Sequence, residues 1–491
     1  MRRVAIIGSG FSGLSAAAYL AKNGCEVDLY EKNSTIGGRA RQFSENGFKF
    51  DMGPSWYWMP EVFESFFNDF GYHVSDFYKL QLLSPSFDLV FTQQEKWSIP
   101  SEFSELLAFF DSVETGSSDK LKLFLKDAKT KYNIGFSSLI EQPGLSILEY
   151  LSFEIIKQSL KLDIFSSYQK LVHKHFKSPK LRSLMEFPVL FLGAKPKDTP
   201  ALYSLMNYAG LQLGTWYPIG GFYEVIKAMK KVAEELGVNI ITDSNVSKIK
   251  AVNNRATGLM VGGKEYAYDG IISSADYQHT ESQLLEKQYR NYSENYWETK
   301  TFAPSSLIFY LGLNKKIDQI AHHTLFFDED FEQHANQIYT NKAWPDKPLF
   351  YVCAPSKTDK SVAPDKGENL FLLMPLATGL KDTTELREKY FKILIERLEK
   401  QIKTNITDHI IVKKSYCSND FKADYNAYAG NAYGLANTLS QTAIFKPKAI
   451  NKKLSNLVYA GQLTVPGPGV PPSIISGKIA SKLMLETLNK T

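Results

Sequence analysis

The chain has 491 residues, of which 44% are hydrophobic and 22% charged, with a formal net charge of +5. That balance excludes a disordered or collagen-like chain and predicts a globular protein of about two domains. The charge is too mild to predict a nucleic-acid partner, though it suits an anionic membrane surface.

Val4 to Ile7 predicts a short buried strand. Gly8, Gly10 and Gly13 follow in G-x-G-x-x-G spacing, and Leu14 to Lys22 predicts a helix. A second strand, Val27 to Tyr30, ends in Glu31. This order is that of a dinucleotide-binding βαβ unit, and each part has a physical role. Gly8 permits a tight turn, Gly10 lets backbone approach a pyrophosphate, and Gly13 lets helix pack closely on strand. The free N–H groups of the helix start attract phosphate. Glu31 stands about 20 residues past the turn, where a carboxylate binds a ribose hydroxyl. Its charge disfavours a ribose carrying a 2′-phosphate. Gly37, Gly38 and Arg39 then bring a second backbone turn and a planar donor fork.

Further along, Phe48 to Asp51 predicts a strand and GPSWYWMP an aromatic turn. Residues from about 100 to 195 look mainly helical and are rich in Leu, Phe and Lys. PIGGFYEVIKAMKKVAEELGVNIITD predicts a glycine turn, an amphipathic helix and a strand. MVGGKEY predicts a hairpin and DGIISSADY a buried strand. Residues 301–445 alternate strand and helix: SSLIFYLGL and NLFLLMPLA are strands, Glu385 to Gln401 a helix. The chain closes with a strand LVYAG, a loop QLTVPGPGVPPS and a helix beginning near Ser473.

Two segments mimic something else. The N-terminus imitates a signal peptide, but its glycines and following strand assign it to the nucleotide fold. Thr199 to Tyr223 is uncharged and long enough to span a bilayer. Its prolines and glycines make it a buried wall instead. Cys25, Cys353 and Cys417 show neither CxxC nor metal-ligand spacing, so a reducing cytoplasm is expected. His173 and His175 would lie on different helix faces, and no metal is expected.

Three sets of residues resemble the bacterial phytoene desaturases, carotenoid-type FAD oxidoreductases of the amine-oxidase-like superfamily. They are GSGFSG with YEKNSTIGGRARQF and FDMGPSW; YPIGGFYEVIKAM with IISSADY; and NLVYAGQLTVPGPGVPPSIISGKIAS. WPDKPLFYVCAPSKTDKSVAPDKG adds a weaker fourth. The resemblance implies an α/β protein with a Rossmann-like, glutathione-reductase-type FAD domain built from residues 1–80, 215–285 and 445–491. Residues 81–214 and 286–444 would form an interleaved substrate domain, a mixed sheet plus helices. Gly8, Gly10, Gly13, Glu31, Gly37, Gly38 and Arg39 would hold the ADP part of a non-covalent FAD. Val246 would contact adenine through its backbone, and Gly53 and Pro54 would lie under the flavin ring. Gly461, Pro466, Gly467, Gly469, Val470 and Pro471 would follow the ring edge. Gln462-Leu463 departs from the family pattern at that loop.

The implied reaction is hydride transfer from an allylic CH₂ of phytoene to the flavin, towards lycopene, with oxygen or a quinone as final acceptor. Such a substrate binds by apolar burial alone. Trp56, Tyr57, Trp58, Phe187, Phe191 and Leu202 are expected to line its tunnel, with Tyr203, Leu205, Met206, Trp216 and Tyr217; ordinary core packing is the alternative for each. Glu154 and Lys157, three apart on one helix face, are the acid–base candidates, against a surface salt bridge. The Lys-rich segments Lys120 to Tyr132 and Leu151 to Phe176 are expected to dock on a membrane surface from the cytoplasm. A hydroxylated or C30 carotenoid, or isomerisation or saturation of a polyene, remains open as the reaction. So do an amine or porphyrinogen oxidase and a carotenoid carrier.

Overall fold

The computed structural model describes residues 1–135, 140–146, 149, 163 and 166–490. Arg3–Ile7 is the centre of a five-stranded sheet. The order is Leu457–Tyr459, Gly270–Ser273, Arg3–Ile7, Glu26–Tyr30, Asn239–Ile241, and every neighbouring pair is parallel. Such strands are covered on both faces, which is why they read as short apolar runs. Phe11–Lys22 packs over this sheet beside the last helix, Val470–Asn489. A Cβ on Gly477 would come within 2.4 Å of the Ser12 carbonyl, so glycine sets how closely these two helices approach. Ser15 Oγ donates to the Ile474 carbonyl at 2.7 Å across the same seam. The last helix starts at Val470, three residues before the expected Ser473. Pro471 and Pro472 are tolerated because first-turn N–H groups have no helical partner.

A second sheet has seven strands: Ile410–Tyr416, Ser305–Leu313, Glu368–Leu376, Phe350–Cys353, His323–Phe326, Phe87–Thr92, Glu95–Ile99. It is antiparallel except where His323–Phe326 runs beside Phe87–Thr92. Every residue of Ser305–Leu313 is buried, and the helix Thr384–Ile402 covers one side through Phe391, Leu394 and Leu398. A three-stranded meander, Val246–Val252, Arg255–Val261 and Lys264–Ala267, contains the hairpin expected at MVGGKEY.

The two large sheets are tied together at the turn after Phe48–Asp51. Tyr310 Oη donates to the Met52 carbonyl at 2.8 Å. Asp51 accepts from the backbone N–H of Phe222 at 2.6 Å and from Gln42 Nε2 at 3.0 Å, fixing the start of the helix Tyr223–Glu235. Burial pushes the Asp51 carboxyl up to about 6, against the pull of these donors.

Thr199 to Tyr223 folds as broken helical turns and the short strand Trp216–Pro218, as its glycines and prolines require. No helix of the described residues is long and apolar enough to cross a membrane. The helix Ser117–Ile134 corrects the docking expectation for Lys120 to Tyr132. Its apolar residues Leu121, Phe124, Leu125, Ala128 and Tyr132 face the core, leaving Leu123 exposed. Even Lys131 is buried, paired with Asp127 at 2.6 Å and Asp163 at 2.8 Å. Most of Leu151 to Phe176 lies outside the described residues.

Candidate functional site

One cavity of about 810 Å³ reaches from the glycine turn of the five-stranded sheet to the face of the seven-stranded sheet. Its size falls within the range of small-molecule and cofactor sites.

At the first end the walls are mostly backbone. Gly8 adopts a φ of +97°, which ends the strand, and a Cβ on Gly13 would stand 1.9 Å from the Gly8 carbonyl oxygen. Gly13 therefore lies behind the turn and does not itself line the cavity. Gly8, Gly10, Gly37 and Gly38 do. Gly38 packs its α-carbon region on Gly10, where a Cβ would be 3.3 Å away. The helix Phe11–Lys22 has no side-chain cap at Gly10, so its first N–H groups point to the cavity as an anion site.

Glu31 is buried and lines the same end. One oxygen accepts from Ser9 N and Oγ at 3.1 and 2.6 Å, the other from Asn33 N and Nδ2, both at 2.9 Å. These donors orient the carboxylate and already occupy its four lone-pair sites, so a ribose hydroxyl would share or displace one of them. Arg39 donates to the Asn431 carbonyl at 3.3 Å, while its Nε has no hydrogen-bond partner among the described residues. Tyr425 lies under the guanidinium, 5.1 Å from the ring centre. A buried guanidinium with an open donor fits a phosphate. Gln462, the departure in the last loop, is placed beside Arg39 and can turn its amide oxygen to Arg39 Nη2 at 3.1 Å. The altered residue thus meets the Arg39 guanidinium.

Gly53, Pro54, Gly461, Pro466, Gly469, Val470 and Pro471 also line the cavity, and Val246 lines it where it packs with Ile7 and Tyr30, beside Glu31. A Cβ on Gly53 would come within 2.6 Å of the Arg39 carbonyl oxygen. Gly467 is set back from the wall, against Lys446 and Asn437. These residues fit a dinucleotide laid from Glu31, past the helix start, to the last loop.

At the other end the walls are side chains. Trp56, Trp58, Phe187, Leu202, Tyr203, Leu205 and Met206 line it as expected. Three expected residues do not. Tyr57 is buried in the core, stacked on Phe63 at 4.1 Å. Trp216 is held in its strand pairing with Leu80–Leu82, and its Nε1 donates to the Leu213 carbonyl at 2.9 Å. Tyr217 packs on His322 at 4.7 Å. Ordinary packing explains all three. The side chain of Phe191 lies outside the described residues, as do Glu154 and Lys157 entirely.

The opposite wall was not anticipated. It comes from the helix Phe331–Tyr339, through Phe331, Ala335 and Ile338, and from Ile308, Leu325 and Leu373 of the sheet. The spacing of Phe331, Ala335 and Ile338 at four and three residues was the available signal. His323 stacks on Trp56 at 4.1 Å and meets the Tyr351 hydroxyl at 2.6 Å. His322, His323 and Cys353 bring their donor atoms within 4.8 Å of one another, all buried. Cys353 is the cross-strand partner of His323, which linear spacing conceals. Burial pulls the His323 imidazole well below its usual range, that of His322 down to about 3, and pushes the Cys353 thiol up to about 12. At pH 7 this group is neutral and backs the chamber without charge.

Comparison with known proteins follows the same lines. The family model for flavin containing amine oxidoreductases matches residues 11–485. The chain is 36% identical to a carotenoid 3,4-desaturase from Haloarcula japonica, over 99% of this chain and 98% of that protein. It is 29% identical to a 4,4′-diapophytoene desaturase (4,4′-diaponeurosporene-forming) from Staphylococcus aureus, over 99% of each. Among solved structures, a putrescine oxidase variant superposes with a TM-score of 0.66 at 12% identity, covering 100% of this chain and 99% of that one. An oxidoreductase from Methanosarcina mazei gives 0.62 at 17%, covering 97% and 99%. The chain belongs to the flavin-containing amine oxidoreductase family, and its cofactor is FAD.

Proposed function

We propose that this protein is an FAD-dependent carotenoid desaturase. The substrate proposed first is phytoene, desaturated towards lycopene. The observation that carries this reading is the far end of the cavity. Its wall is built from Trp56, Trp58, Met206, Ile338 and their neighbours; burial holds its His334 neutral, as it does His323 behind Trp56. An amine substrate would need a carboxylate or an aromatic cage with a polar exit. A polyene without polar groups needs only apolar surface, at roughly 25 cal/mol per Å² buried.

FAD supplies the two-electron acceptor when bound. Glu31, the helix start at Phe11 and Arg39 would hold its ribose and phosphates. Gly53, Pro54 and the 461–471 loop would fix the plane of the ring. The chamber then does three things: it binds the chain, aligns one allylic CH₂ with the ring, and excludes water.

The Haloarcula relative's name favours a second reading, 3,4-desaturation of a carotenoid. The staphylococcal relatives' names add a C30 chain to the substrates worth testing. The test is anaerobic. FAD-loaded protein is mixed with liposomes carrying phytoene, the flavin absorbance is followed, and the pigments are separated. Flavin bleaching with more conjugated products supports the first reading. An unchanged flavin with phytoene, but bleaching with a conjugated or C30 carotenoid, selects the second.

The bilayer is the proposed source of substrate. Phe445 is exposed next to Ala443 and Ile444, which line the cavity. Phe445→Glu should reduce co-sedimentation with anionic liposomes several-fold; equal binding by both proteins would refute docking at this rim.

A further inference from the structure

Lys446 is 2% exposed, and its ammonium has no hydrogen-bond partner among the described residues. Asn437 Oδ1 is buried and equally without a partner, and Asn437 lines the cavity. Both atoms flank Gly467. A Cβ there would stand 3.2 Å from Lys446 Nζ and 3.4 Å from Asn437 Oδ1. Pro466 and Pro468, on either side of Gly467, line the cavity. An open cationic donor and an open carbonyl acceptor therefore meet beside the loop assigned to the flavin ring. Leaving such groups unsatisfied in a dry interior is costly.

We propose that Lys446, together with Asn437, is a cofactor-directed pair that lies behind the loop that would carry the FAD ring edge and sets the bound flavin's reduction potential through it. This rests on the placement of the ring along residues 461–471. Burial alone brings Lys446 from its ordinary range down to about 7. The neighbouring charges are engaged elsewhere. Lys448 donates to the carbonyls of Gly144 and Ile444 at 2.6 and 2.8 Å. Glu149, which faces Lys448, accepts from the N–H groups of Gly144, Leu145 and Ser146. No neighbouring charge contributes to the shift of Lys446, whose cause is burial alone.

The proton balance is explicit. Two electrons and one proton, added to the oxidised ring, leave one negative charge. That charge draws a further solvent proton onto a neutral Lys446, giving an ammonium beside an anion. Below pH about 7 the lysine is already charged and takes up nothing.

The experiment titrates the FAD-loaded full chain with dithionite and redox dyes between pH 6 and 9, with no polyene present. The wild-type potential should fall more steeply above pH about 7, by a further 29.6 mV per pH unit for one extra proton in a two-electron couple. Lys446→Met should lower the potential by about 30 mV or more, a tenfold shift in the equilibrium, and remove the break. Lys446→Arg should keep the high potential and lose the break, which a purely structural role would not do. A straight wild-type line overturns the proposal even if Lys446→Met does not fold. So does a Lys446→Met protein that binds FAD and keeps the wild-type potential and break. A wild-type chain that holds no FAD overturns the site assignment as well, so the two failures are distinguishable.

Discussion

The two ends of the cavity are built by opposite means. The nucleotide end is made of backbone, held by glycines whose missing side chains leave room for a ligand. The chamber end is made of bulky side chains delivered by a sheet, a helix and a loop. The first end tolerates almost no added atoms; the second tolerates changes of shape but not of polarity.

The largest effect is expected where that contrast is sharpest. Gly13→Ala puts a Cβ 1.9 Å from a backbone carbonyl, with no flexible side chain to yield. Flavin content of the purified protein should fall at least a hundredfold, or the chain should fail to fold; normal FAD loading would break the comparison.

Asp51 sits at the joint between the ends, and its effect is on stability. Its folded value, about 6, lies above the 3.8 of an ordinary carboxyl. The folded state holds this proton more tightly, so stability should fall as pH rises from about 4 to about 6 and level off above. The integrated loss is about 2–3 kcal/mol at most. Denaturant midpoints against pH should show the slope in wild type and its loss in Asp51→Asn.

At the chamber end, Met206→Glu introduces a charge without filling the nucleotide end. Polyene turnover should fall at least tenfold while FAD content stays normal. Parallel losses of both would mean that the two ends are not separable. Glu31→Gln is the mirror image. It keeps the volume but weakens charge-assisted hydrogen bonds, so the Kd for FAD should rise about tenfold, with turnover at saturating FAD little changed. The smallest functional effect is expected from Trp216→Ala. Trp216 does not line the cavity, so melting temperature should fall while turnover per folded molecule holds. The reverse, preserved stability with lost turnover, would restore the tunnel role that its sequence neighbourhood suggested.

This contrast also explains what could be read before folding. Gly8, Gly10, Glu31 and Gly38 converge within one stretch of sequence, and their spacing carries the geometry. The Gly/Pro pattern of the last segment marks a loop, and most of that loop lines the cavity. The chamber had no such local code. Trp56 and Phe187 meet Ile338 and Leu373 only after a sheet forms between strands far apart in the chain. Tyr57 and Trp216 had the composition of a tunnel, but Tyr57 points into the core and Trp216 packs half-buried against it, because register and turn geometry decide which face a residue takes. The grouping of Cys353 with His322 and His323 was hidden for the same reason. Lys446 was hidden differently: a lone lysine is ordinarily exposed, and only burial without a partner marks it.

The seam between Ser15 and Ile474, 459 residues apart, has a consequence for how the protein is made. At roughly 5–20 residues per second, a ribosome needs roughly 20–90 s to supply the second partner. During that interval the first helix and its strand must persist with one flank bare, since the edge strand Leu457–Tyr459 and the helix Val470–Asn489 do not yet exist. The cavity wall at residues 461–471 is therefore completed only after nearly all of the fold has been made.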